Sequence, residues 1–316
     1  MTRLIGRRLL IGLVVLFVVS LLVFAASLLL PGDAAQAILG RTASPDRLAA
    51  LRAQMHLDQP AAQRYLTWLG DLFTGSLGNS LANGQPVGQL IAYRLGNSGI
   101  LLLCSAVIAT PVSILVGTWS ALRRGRAVDN AFSTSSLVLA SLPEFVIGIL
   151  LILVFSTTLL HWFPAVALVS EHRSMWNQAS VLVLPTVTLV LAVSPYISRM
   201  MRATMIEVLD SEYVQQARLK GLPERVVLLR HALPNGIGPV AQVIALQLAW
   251  LAGGVVVVEY LFRYPGVGQG IVDAVTNRDL PTLQALVMLI AFVYVVFNLL
   301  ADVVSIVSNP RLRTAR

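Results

Sequence analysis

Residues 213–235 read YVQQARLKGLPERVVLLRHALPN, a basic, proline-punctuated stretch between strongly apolar segments. Ala217 and Gly221 are four residues apart. On a helix both would share one face, small enough for a partner to approach closely. Pro223 cannot continue a helix interior and enforces a turn. Two short helices broken near 221–223 are therefore expected. Arg218, Lys220, Arg225 and Arg230 give the stretch a basic surface. Alone, such a loop could equally rest on anionic lipid; its meaning depends on what flanks it.

The flanks belong in a bilayer. The chain has 316 residues, 56% hydrophobic and only 12% charged. Soluble domains carry about a quarter charged residues. An apolar run of about 18 or more residues can cross the ~30 Å hydrocarbon layer as a helix. Six such runs stand at 9–30, 100–122, 137–160, 181–197, 237–258 and 283–307. The fourth reads as continuing through Arg199 and Arg202 to about Leu209. The first follows Arg3, Arg7 and Arg8, but at 22 residues it exceeds a signal-peptide core and reads as a retained span.

Basic residues orient the spans. Of the 23, 15 fall before span one, after span two, between spans four and five, and at the end. The other 8 are spread over longer loops among many acids. Both termini and the 213–235 loop are thus expected in the cytoplasm. The division that follows is 1–30 (end and span one), 31–95 (external helical segment), 96–310 (five-span core with its loop at 207–236) and 311–316 (cytoplasmic tail). In the external segment, Ser44 before Pro45 reads as a helix cap. Leu48, Leu51 and Met55 recur at helical spacing, and 61–73 is a second amphipathic stretch stopping at Gly75. It places Tyr65, Leu66, Leu69, Leu72 and Phe73 on one side.

Several stretches then resemble, in order, the permeases of bacterial binding-protein-dependent ABC importers, in the branch serving peptides and nickel. These are RRLLIGLVVLFVVSLLVFAASLLLPGD at the start, LRAQMHLDQPAAQRYLTWLGDLFTGSLGNS outside, SLPEFVIGILLILVF in span three, VVVVEYLFRYPGVG ending span five, and NPRLR near the end. The 213–235 loop resembles the family's "EAA" loop: Ala217, Gly221, Leu233 and Pro234 match, while Gln215 and Gln216 stand for its Glu and first Ala. Ser76 and Asn309 stand where the family usually has acids. The resemblance implies an all-α fold with six transmembrane helices, that of type I importer permeases. It implies a bacterial inner-membrane subunit, most simply for peptides, with a nickel or other small-solute importer as the alternative. It also implies a second homologous permease, two cytoplasmic ATPases and an extracytoplasmic binding protein. The expected ATPase-coupling residues are Gln215, Gln216, Ala217, Arg218, Lys220, Gly221, Leu222, Leu233 and Pro234.

No catalysis is expected of this chain. A phosphate-binding Walker loop needs G-x-x-x-x-G-K-[ST], and the only lysine, Lys220, lacks that setting. No cofactor is expected here; ATP and Mg would sit on the partner subunits. Four scattered histidines and the single Cys104 offer no metal cluster or disulfide, and nucleic acid is not an expected partner. A membrane-embedded enzyme would need a converging catalytic set, and a self-sufficient carrier would show internal repeats; neither is evident.

Inside the spans, polar residues are expensive and mark cavities or partners. Glu144 beside Pro143 is a candidate for the translocation path, or for a structural hydrogen bond. Glu259, Tyr264 and Pro265 are candidates for an outer gate, with Tyr260, Phe262 and Tyr264 forming an aromatic belt. Asn298 and Asp302 read as helix-to-helix contacts. Gly117, Gly148, Gly253 and Gly254 read as packing surfaces.

Overall fold

The structure, a computed structural model, describes residues 2–29, 44–54, 58–167 and 178–308. Pro31-Gly32-Asp33, Met55 and the tail from Asn309 fall outside the described residues, as does the side chain of Asp302.

Eleven principal helices are described: α1 (Thr2–Leu29), α2 (Pro45–Gln54), α3 (Ala61–Thr74), α4 (Val87–Leu122), α5 (Ala127–Ser141), α6 (Glu144–Ile152), α7 (Ala179–Leu209), α8 (Glu212–Leu219), α9 (Leu233–Leu261), α10 (Val267–Thr276) and α11 (Leu280–Ser308). Five long apolar helical runs are able to span a bilayer: 6–28, 87–122, 179–209, 224–262 and 280–300. The sixth crossing is the pair α5 and α6 with its trailing turn, which meet at a bend of 105°. The expectation of six spans holds, and span three, the apolar run over 137–160 with Pro143 inside it, is two half-helices. Pro143 is the cause, because it has no N–H for the carbonyl of Leu139 and disfavours helical geometry at Leu142. Leu142 is extended, at φ −87° and ψ 131°.

Three further boundaries move. The helix that carries span two begins at Val87, after Pro86, ahead of the apolar run at 100–122. Span five is continuous with the second half of the loop, and the helical run starts at Glu224. The segment between spans five and six, read as a loop, contains α10.

The core centres on α7, the most buried of the long helices. α4 lies along it, α9 packs on its other side, and α11 and then α1 follow outward from α9. Gly117 allows the α4–α7 approach: a Cβ there would lie 2.4 Å from the carbonyl oxygen of Ser198. Gly148 does the same between α6 and Leu261. Gly253 faces open space instead, so it is not a packing surface within this chain. α1 stays largely bare, with Leu10, Leu13 and Leu22 all more than 60% exposed, as a lipid- or partner-facing span would be. On α3, Tyr65 and Trp68 stack around Phe24 of α1. Leu66 and Phe73 point away, 66% and 83% exposed, contrary to the single face expected.

Candidate functional site

α8, which opens the 213–235 loop, follows α7 after a two-residue connection, Asp210 and Ser211. Ser211 precedes α8, and Glu212 in its first turn complements the helix dipole. The helix stops at a Schellman turn: Leu222 N–H donates to the Ala217 carbonyl at 3.4 Å, and Gly221 N–H to that of Arg218 at 2.9 Å. Gly221 sits at φ +75°, a conformation costing a residue with a Cβ about 1 kcal/mol or more. Ala217 is 5% exposed and packs with Val214, Val227 and Ala232 in the chain's own core. This corrects the expectation of one small face shared by Ala217 and Gly221. Ala217 faces inward, and Gly221 lies beyond the helix, where it reverses the chain.

What the loop presents outward is different. Gln215, Gln216, Arg218, Lys220, Leu222 and Pro234 are exposed and Leu233 is half-buried. Leu219 is 87% exposed, with Tyr213 and Leu229 also bare. The tip is braced by Arg218, whose guanidinium donates to both Glu224 oxygens, at 2.6 and 3.2 Å. From Val227 to Ala232 the helix widens into a π turn directly before Pro234, which has no N–H for the Arg230 carbonyl.

A second cluster ties the same end together. Asp129, at the start of α5, is 2% exposed. It accepts from Arg202 of α7 at 2.6 and 2.7 Å, from Ser120 Oγ of α4 at 2.6 Å and from Gly125 N–H at 2.9 Å. Arg202 had been read only as an orientation charge. The i to i+9 spacing of Ser120 and Asp129 around a Gly125 turn was the available signal; the third member, 73 residues on, was not legible.

At the opposite end, Glu259 is fully buried. Ser98 Oγ donates to its Oε1 at 2.5 Å and Gly268 N–H to its Oε2 at 2.6 Å. Tyr264 O–H donates to the Asn97 carbonyl at 2.8 Å, and Asn97 Nδ2 donates back to that of Pro265 at 2.9 Å. Arg94 reaches the Gly266 carbonyl at 3.1 Å and Asp273 at 2.9 Å. Burial pushes the Tyr264 phenol well above its usual pKa, so it remains a donor. The structure therefore brings Glu259, Tyr264 and Pro265 together, but as a clamp between α4 and the α9–α10 turn, not as the lining of an open path. Of the expected aromatic belt only Tyr260 is exposed; Phe262 and Tyr264 are fully buried. Nearby, Asp279 accepts from Ser80 Oγ, Leu81 N–H and Thr282 Oγ1, securing the turn at 79–86, closed by a bridge between Asn79 and Pro86, to the start of α11.

Glu144 lies elsewhere. It opens α6 at the bend and lines a cavity of about 380 Å³ with Tyr196, Gln247 and Trp250. The cavity lies away from the Glu259 clamp, whose residues do not line it. The break leaves the Ala140 carbonyl without its helical donor, and Tyr196 O–H supplies one at 3.2 Å. Asn298 bonds only within its own helix, to the Tyr294 carbonyl at 2.9 Å.

Comparison with known proteins agrees with this architecture. Residues 113–314 match the binding-protein-dependent transport system inner membrane component family, and residues 1–98 match the N-terminal domain of such membrane components. A protein of Sinorhizobium fredii named as a peptide ABC transporter permease is 36% identical over 97% of this chain and 98% of its own length. One of Brucella abortus, named as a peptide transport system permease, is 37% identical over 99% of both. The glutathione transport system permease of Escherichia coli K12 is 36% identical over 96% of this chain and 97% of its own. With a family match over most of its length on a six-crossing helical fold, the chain belongs to the binding-protein-dependent transport system inner membrane component family.

Proposed function

We propose that this chain is one half of the translocation pore of an ATP-driven peptide importer in a bacterial inner membrane, and that the 213–235 loop couples it to a cytoplasmic ATPase. The observation that carries the coupling role is the division of labour within the loop. Val214 and Ala217 are rooted in the core beneath α7, whereas Leu219, 87% exposed, and Leu222 stand free above a basic rim. A docked subunit that moves Leu219 moves the end of α7 with it, because α8 is both packed on that core and joined to α7 by two residues.

In this reading both termini and the loop lie in the cytoplasm. A second, homologous permease completes the pore, two ATPase subunits bind ATP and Mg, and an external binding protein delivers the substrate. The cavity opens outward when ATP is bound and inward after hydrolysis, and this chain performs no covalent chemistry. Peptide as the substrate rests on the relatives named for peptide transport. The relative named for glutathione makes that tripeptide a required member of any substrate panel.

The test is purification of the tagged chain from native membranes in mild detergent, with mass spectrometry of what accompanies it. A second permease and Walker-containing ATPases are expected in the wild type. Leu219→Asp is expected to lose the ATPases while keeping the second permease. Recovery of the chain alone, as a stable homo-oligomer, would overturn the coupling assignment.

A further inference from the structure

The carboxylate of Glu144 is the unusual one. Asp129, Asp210, Glu224, Glu259, Asp273 and Asp279 each hold a hydrogen-bond or ion-pair partner within the chain. Asp46, Asp58, Asp71, Glu207 and Glu212 hold none among the described residues but are exposed, whereas Glu144, also without one, is half-buried. Its position makes that more costly. Tyr196 stands 17 residues from one end of α7 and 13 from the other. Gln247 stands 14 from each end of α9. At ~1.5 Å per residue, both residues lie about 20 Å or more from either end of their helices, with Tyr196 at the end of the apolar run 181–197 that leads to Arg199 and Arg202. An unpaired carboxylate within a span is a functional feature by default.

The lining narrows what would pair with it. Glu144 is the only formally charged residue on the cavity wall, and no basic side chain joins it. Trp250 and Tyr196 supply aromatic rings and Gln247 an amide that both donates and accepts. A carboxylate with aromatic walls suits an organic ammonium, through charge and through the ring faces. It does not suit a hard divalent cation, which takes six or more oxygen ligands. A free carboxylate would be repelled, since Glu144 already occupies the helix N-terminus where an anion would otherwise settle. A volume of about 380 Å³ is in the range of small-ligand pockets and admits the first residue or two of a peptide.

Resting on the peptide-importer reading above, we infer that this cavity receives the free α-ammonium group of the passing peptide, with Glu144 as its counter-charge and Tyr196 and Trp250 as its aromatic walls. The site selects for an unblocked N-terminus inside the pore itself, independently of the external binding protein.

The experiment uses the complete importer in proteoliposomes, with its binding protein. It is offered a library of di- to pentapeptides and glutathione, each free and N-acetylated, and uptake is read by mass spectrometry. The quantity is the ratio of free to acetylated uptake. Wild type and variants share one binding protein, so its own preference cancels between them. Glu144→Gln is expected to lower the ratio about tenfold by slowing the free peptides, and Glu144→Asp to retain most of it. Should the Gln variant fail to assemble, Trp250→Leu must lower the same ratio. An unchanged ratio in Glu144→Gln, or in Trp250→Leu when it is the variant used, overturns the inference and leaves the importer reading standing. If the wild type takes up no peptide, free or blocked, the peptide reading itself fails and this inference with it.

Discussion

Two glutamates of this chain occupy its membrane-spanning part and have opposite surroundings. Glu259 is enclosed, and both its oxygens accept from the chain's own donors. Gly266 and Gly268 make room for it: a Cβ on Gly266 would fall 2.1 Å from Oε1. Glu144 opens a half-helix at a 105° bend, faces a cavity and has no partner among the described residues. A buried carboxylate whose acceptor capacity is filled holds elements together, and moving it would strand several donors at once. One left unpaired beside a cavity contributes little to stability and is available to a ligand. The clamp end of the bundle is therefore built for rigidity, and the bent span leaves a carboxylate facing a cavity.

That comparison can be broken at its strong side first. Glu259→Ala would leave Gly268 N–H and Ser98 Oγ without their acceptor in a buried site, and is expected to cost about 4 kcal/mol. The measurement is thermal unfolding of the purified complex in detergent; a loss under 1 kcal/mol would mean that the clamp is dispensable. Arg202→Met tests whether a buried acid at the opposite end behaves like Glu259. It leaves Asp129, 2% exposed, with only Ser120 and the Gly125 amide, and is expected to cost about 3 kcal/mol. Adding Asp129→Leu should recover much of that loss, because the stranded charge is then gone; a double variant as unstable as the single one would refute the account. At the small end, Glu144→Gln is expected to change unfolding by no more than about 0.5 kcal/mol, or to stabilise slightly by removing an unpaired charge. A drop comparable with that of Glu259→Ala would show that Glu144 has a structural partner after all.

The 213–235 loop shows the limits of spacing arguments in another way. Ala217 and Gly221 were singled out by a separation of four residues, which on an uninterrupted helix aligns them. The helix ends between them. Gly221 adopts the left-handed geometry that closes α8, so Ala217 turns inward, and the outward-facing apolar residue is Leu219. Periodicity locates small residues, but it cannot tell a contact surface from a cap when the terminating glycine is one of the pair.

The amino-acid sequence by itself determined how many times the chain crosses the bilayer, where the short helices between spans one and two fall and where the basic loop interrupts the spans. These follow from composition over runs of ten to twenty residues, and from proline and glycine acting on their immediate neighbours. It also marked Glu144 and Glu259 as costly, since a carboxylate in an apolar run is visible without coordinates. Only the tertiary structure decided which of them is satisfied. Ser98 lies 161 positions from Glu259, and Arg202 lies 73 from Asp129. Polar groups so distant in the chain meet only once helices have packed, and whether a buried charge finds its donors depends on that packing rather than on its neighbours in sequence.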